Sequence, residues 1–83
     1  MNSNRWNLPV PVRDGQDIVF EIRSVRHAAE FLILHWPDSD RGSWKHLAAQ
    51  IACLDVLESE REPEHARRAF VEAAKAAGIL AEG

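Results

Sequence analysis

Eighty-three residues, 46% apolar and 28% charged, describe one small folded domain and exclude a disordered or fibrous chain. A formal net charge of −3 argues against nucleic acid or an anionic membrane surface as the main partner. The lone Cys53 excludes an internal disulfide and suits a reducing cytoplasm, and the polar opening MNSNRWN lacks the apolar centre of a signal peptide.

Residues 1–7 read as a flexible arm from which Trp6 folds back onto the body. Leu8, Val10 and Val12 then alternate with Pro9, Pro11 and Arg13, which is the period of a strand. The turn signal Asp14-Gly15-Gln16-Asp17 leads into a second alternation, Ile18, Phe20 and Ile22 against Val19, Glu21 and Arg23. The pattern predicts a β-hairpin with its even-numbered residues facing inward. Cross-strand partners share a face, so even residues must oppose even residues. That parity predicts a three- or five-residue loop around Gly15, with Val12 opposite Ile18 or Phe20. Pro9 and Pro11 fall on the outer edge of the first strand, where no backbone donor is needed and pairing is blunted. The outer edge of the second strand, at Val19 and Glu21, has no such protection. It is covered, paired with another strand, or open to a partner.

Ser24 is placed to cap a helix over Val25–His35, with Arg26, His27 and Glu30 as its narrow polar stripe. Phe31, Leu32, Ile33, Leu34 and Trp36 make this stretch apolar almost all round, the mark of a central helix. The run is about ten residues long and carries Glu30 and His35, too short and too polar to span a bilayer. Pro37 stops it, and Pro37–Gly42 is a polar loop. Ser43 or Asp40 caps a second helix over Trp44–Ser59. Trp44, Leu47, Ile51, Leu54 and Leu57 form its apolar stripe, widened by Ala48 and Ala52 and expected to face the core.

Glu58, Glu60, Glu62 and Glu64 mark an acidic connection. Pro63 suits the first position of a third helix. Ala66, Ala69, Phe70, Ala73, Ala74 and Ala77 form its inner face, and Glu64–Arg68 and Arg68–Glu72 are spaced as outer ion pairs. Gly78 fits a left-handed cap, with Ile79 folding back onto Ala73 or Ala74. The whole is an α+β domain of order ββααα over residues 8–80, followed by a tail at 81–83.

Taken together, certain landmarks resemble the domain of unknown function 982 family. They are Trp6 with Pro9-Val10, Ala28 through Leu32 leading to Trp36-Pro37, Gly42, the Ala49-to-Cys53 spacing, Ala66-Arg67, Ala69-Phe70 and Ala73-Ala74. The family consists of small proteins found mainly in rhizobia and related alphaproteobacteria. The resemblance implies similar domain limits and a bacterial cytoplasmic setting. It carries over no catalytic residue, since the family has no established activity.

The chain offers little for catalysis. Cys53 and His46 share a helix face but lie about 10 Å apart along the axis, too far for a nucleophile–base pair. Asp38-Ser39-Asp40-Arg41-Gly42 superficially resembles a calcium loop, but its glycine is misplaced and the twelfth position, Ala49, is not a glutamate. No two of His27, His35, His46 and His65 have the spacing that pairs metal ligands on a helix. They are expected at the surface or at helix ends. No glycine-rich phosphate loop or nucleophile elbow occurs. No catalytic residue, metal or cofactor is therefore expected.

The reading that follows is a non-enzymatic protein-interaction module. It would bind a second copy or another protein through the second-strand edge, at Val19, Glu21 and Arg23, or through an exposed aromatic residue, for which Trp36 is the candidate. Trp36 and Trp44 both fit the core equally well. The alternative is a nucleic-acid-associated regulator using Arg5, Arg13, Arg23 and Arg26, although Asp14, Asp17 and Glu21 are interspersed among them.

Overall fold

A computed structural model describes residues 4–59 and 61–81. Its strands are β1 (Arg5–Arg13) and β2 (Val19–Ser24). Three helices follow, α1 (Val25–Leu34), α2 (Trp44–Ser59) and α3 (Pro63–Ala77), with a short 3₁₀ turn at Asp38–Asp40 between the first two. The predicted ββααα order is therefore the order found.

β1 and β2 are antiparallel, with Val10 opposite Ile22, Val12 opposite Phe20 and Arg13 opposite Val19. Even residues face even residues, and the strands close on the five-residue loop 14–18. Asp14 organises that loop: its carboxylate accepts the backbone N–H groups of Gln16 and Ile18 at 2.8 and 3.0 Å.

Inward parity fails at both ends of the hairpin. Ile18 belongs to the loop and is exposed. Between the pairs Arg5–Ser24 and Val10–Ile22, β1 advances five residues while β2 advances two. The surplus forms a bulge that leaves Leu8 66% exposed while Trp6 and Val10 stay buried. Arg67 donates to the Leu8 carbonyl at 3.0 Å, holding the bulge against α3. Strand β1 thus begins at Arg5, inside the stretch read as a flexible arm; residues 1–3 lie outside the described residues.

The proline-bearing edge of β1 does face away from β2, but it is not left open. Arg13 N–H donates to the Ile79 carbonyl at 2.8 Å, and Ala81 N–H donates to the Pro11 carbonyl at 2.9 Å, around a bridge between Val12 and Leu80. Pro11 has no donor to offer, and this pairing asks only for its acceptor. Ala81 is consequently buried and part of the body rather than the tail; residues 82–83 lie outside the described residues.

Ser24 caps α1 as expected, its hydroxyl accepting His27 N–H at 3.1 Å. Val25, Ala28, Phe31 and Leu32 are buried, whereas Ile33 and Leu34 are 58% and 64% exposed. The helix is thus half covered rather than enclosed. Pro63 opens α3, and Gly78, at φ 73°, ends it. Gly78 N–H donates to Lys75 O and Ile79 N–H to Ala74 O, the double bond of a left-handed helix cap that turns Ile79 back onto the body. The expected ion pairs to Arg68 do not form; Glu64 pairs with Arg67 at 3.8 Å and Glu72 with Lys45 of α2 at 3.5 Å.

Phe70 of α3 sits at the centre of an aromatic core. Its ring centroid lies 5.9 Å from Trp6, 6.2 Å from Phe31 and 6.1 Å from Trp36. Each of the three comes from a different part of the chain, so this cluster ties hairpin, α1 and α3 together.

Candidate functional site

The face that α2 turns inward is not the one its large residues mark. His46, Ala49, Ala52, Cys53 and Val56 are buried, whereas Trp44 is 75% exposed, Leu47 49%, Ile51 59% and Leu54 52%. Of the expected core stripe, Trp44, Leu47, Ile51 and Leu54 therefore form a surface stripe, while Ala52 is buried and Leu57 packs partly buried against the core. The reason is volume. Phe31, Trp36 and Phe70 fill the interior, and the buried face of α3 is mostly alanine, at Ala66, Ala73 and Ala74. Two helices with small facing residues approach closely, and no room remains between them for leucine, isoleucine or tryptophan.

The loop before α2 fixes the rotation of the helix about its axis. Ser43 Oγ accepts His46 N–H at 3.2 Å and donates to Asp40 Oδ2 at 3.0 Å, and the same carboxylate oxygen accepts the Trp36 indole N–H at 3.0 Å. Gly42 N–H donates to His46 Nδ1 at 3.0 Å, and His46 Nε2 lies 2.9 Å from the Leu32 carbonyl. Arg41 closes the other side, its guanidinium donating to the carbonyls of Ile33 and Trp36 at 3.0 and 3.2 Å at the end of α1. With His46 pinned to α1, the stripe that begins at Trp44 can only face outward. The Asp38–Gly42 segment is a capping loop.

The remaining predicted site residues are dispersed. Val19, Glu21 and Arg23 lie along β2, whose outer edge carries no further strand among the described residues. Val19 is half exposed, and Arg23 donates to Glu21 at 2.7 Å, an exposed pair that charges this short edge. Trp36 does not belong with them: it is only 2% exposed, its ring is stacked on His46 and its N–H is bound by Asp40. The exposed tryptophan is Trp44. Of the hairpin arginines, Arg13 and Arg23 stand beside the carboxylates of Asp17 and Glu21. His46 stands at a helix end, in the first turn of α2, but is buried there rather than at the surface. Burial pushes the Cys53 thiol up to about 12, so it carries no thiolate near neutral pH.

The profile of the DUF982 family, described as a protein of unknown function, matches residues 8–81. The chain belongs to that family. The match runs from the β1 bulge through the C-terminal bridge, and so covers nearly all of the ββααα body, leaving out only the start of β1 at residues 5–7. No curated protein and no solved structure shows a significant match. Among the described residues, no helix is long and apolar enough to cross a membrane.

The stripe on this DUF982 chain has a period that sequence reading can detect. Trp44, Leu47, Ile51 and Leu54 are spaced three, four and three apart, and Glu58 continues the series four residues later. That is the spacing of a helix-pairing seam. What the period alone does not say is which of two apolar faces turns inward, because His46, Ala49, Cys53 and Val56 trace a second face.

Proposed function

We propose that this DUF982 chain is a protein-interaction module, and that the exposed face of α2 is its docking surface. One observation carries the reading: four large apolar side chains lie in helical register on one face, each about half exposed or more. Scattered surface apolar residues need no explanation, but a contiguous row of this kind marks an interface. Trp44 at one end is the residue type that most often anchors such contacts. A bacterial cytoplasmic setting fits the lone, buried Cys53.

The β2 edge is the weaker candidate because it is short and carries the Glu21–Arg23 pair. The nucleic-acid reading is weaker too, since carboxylates stand beside Arg13 and Arg23.

The test compares the wild-type chain with Ile51→Glu as bait in a native-cell extract, alongside sedimentation of each alone. Wild type should retain a protein, or a second copy of itself, that the variant loses at unchanged helicity. Identical behaviour of the two baits in both assays would overturn the reading.

A further inference from the structure

We propose that the occupant of the α2 face is a second copy of this chain, packed antiparallel through the same face; this rests on the reading of that face as a docking surface. The seam is self-complementary when reversed. Its residues, Trp44, Leu47, Ile51 and Leu54, alternate by three, four and three, so the spacing reads the same from either end. In an antiparallel helix pair each row packs against the other row of its partner. Trp44 then meets Leu54 of the second copy, Leu47 meets Ile51, and the two-fold axis passes between Leu47 and Ile51. All four residues are covered on both chains, as a closed, isologous dimer requires.

Charge points to the same orientation. No acidic residue occupies the first turn of α2 and no basic residue its last; Lys45 sits at the start, while Asp55 and Glu58 sit near the end. These charges oppose the dipole of their own helix. Antiparallel packing reverses the mismatch: Glu58 overhangs the amino end of α2 in the second copy, where its carboxylate meets the positive end of that helix's dipole. Parallel packing would instead align the dipoles and set like ends together.

Shape and size agree. Beside Trp44 is a shallow depression of about 170 Å³ lined by Lys45, Ala48, Ala69 and Glu72. The reversed register brings Leu54 of the second copy to its mouth. The four seam residues leave uncovered an area on the order of 400 Å² per chain, comparable to the largest patch on an ordinary monomer. That is roughly half of the ~800 Å² each partner contributes to a standard interface, with the flanking residues of α2 and α3 left to supply the rest.

The experiment is sedimentation velocity from 1 to 200 µM, followed by cross-linking with a short bis-maleimide. Wild type should dimerise in this range. Ile51→Glu should remain monomeric at 200 µM with its circular dichroism spectrum unchanged, because the position is exposed in the monomer. Mixing the single variants Trp44→Cys and Leu54→Cys should give the mixed 44–54 product at least tenfold over the 44–44 product; buried Cys53 stays unreactive. A monomeric wild type overturns the second-copy proposal. If wild-type bait still captures a protein that Ile51→Glu loses, the docking reading survives that failure. Dominant 44–44 cross-linking overturns the antiparallel arrangement alone.

Discussion

The imidazole of His46 lies against the indole of Trp36, with ring centroids 5.2 Å apart and planes 23° from parallel. Both nitrogens of that ring are engaged. Gly42 N–H donates to Nδ1, so Nδ1 is an acceptor, and the Leu32 carbonyl can only accept, so Nε2 carries the hydrogen. One neutral ring thereby joins the end of α1, the capping loop and the first turn of α2. It also sets which face of α2 is left for a partner.

Replacing His46 with Phe keeps an aromatic ring on Trp36 and removes both nitrogens. The Leu32 carbonyl and the Gly42 N–H then lose their partners, at about 1–3 kcal/mol for the buried carbonyl and little for the N–H of exposed Gly42, which water can reach. Urea unfolding of His46→Phe should show a loss of about 1–3 kcal/mol. A loss under ~0.5 kcal/mol would mean that the ring only fills space.

How far the sequence discloses this structure depends on where the deciding physics lies. The hairpin register follows from a local rule: side-chain parity in a strand is two, which predicts a loop of three or five residues and Val12 opposite Ile18 or Phe20, and the structure takes the five-residue loop and Phe20. The caps at Ser24 and Gly78 are local as well, since each needs one residue type at one place. The face of α2 is not local. Two apolar rows compete there, and the alanines of α3, ten or more residues further along the chain, settle the contest by admitting only small partners. Leu8 was misplaced for a related reason, because an alternation shows no sign of a bulge held by Arg67 from the far end of the chain. His46 likewise gains its role from Leu32, fourteen residues earlier. Trp36 and Trp44 then exchange roles because the face of α2 was inverted.

The inversion of α2 makes a paired mutational test. Leu32 is fully buried, whereas Leu47 is half exposed on the proposed seam. Leu32→Ala should cost about 2–5 kcal/mol, as a core truncation does. Leu47→Ala, measured on the monomer at low concentration, should stay within about 0.5 kcal/mol of wild type. Equal losses at the two sites would mean that the seam is core after all.

The C-terminal residues 79–81 are predicted to support the sheet. Ending the chain at Gly78 removes the two backbone bonds to Pro11 and Arg13 and the buried side chains of Ile79 and Ala81. The expected loss is about 2–4 kcal/mol. For a domain of this size that lowers the melting temperature by roughly 10 °C or more. The truncated chain should also aggregate faster, since the edge of β1 is then unpaired. An unchanged melting curve would show that the bridge is incidental.

Cys53 gives the protein a pH dependence whose sign is determined. Its thiol ionises at about 12 in the folded chain, against 9.0 for the free group, because burial disfavours the thiolate. Below 9.0 both folded and unfolded chains hold the proton, and the contribution to stability is fully present. Above that value the unfolded chain releases its proton and the folded chain does not, so stability falls as pH rises toward about 12. The slope approaches about 1.4 kcal/mol per pH unit. Urea midpoints at pH 8, 9 and 10 should therefore drop more steeply for wild type than for Cys53→Ala, although the variant starts lower because it has lost packing. Comparing slopes removes the lysines and arginines common to both proteins. In the folded protein at pH 8 a thiol reagent should modify Cys53 only at the rate of unfolding. Parallel pH profiles, or rapid native modification, would show that the thiol is reached by water and that the inner face of α2 is looser than its packing implies.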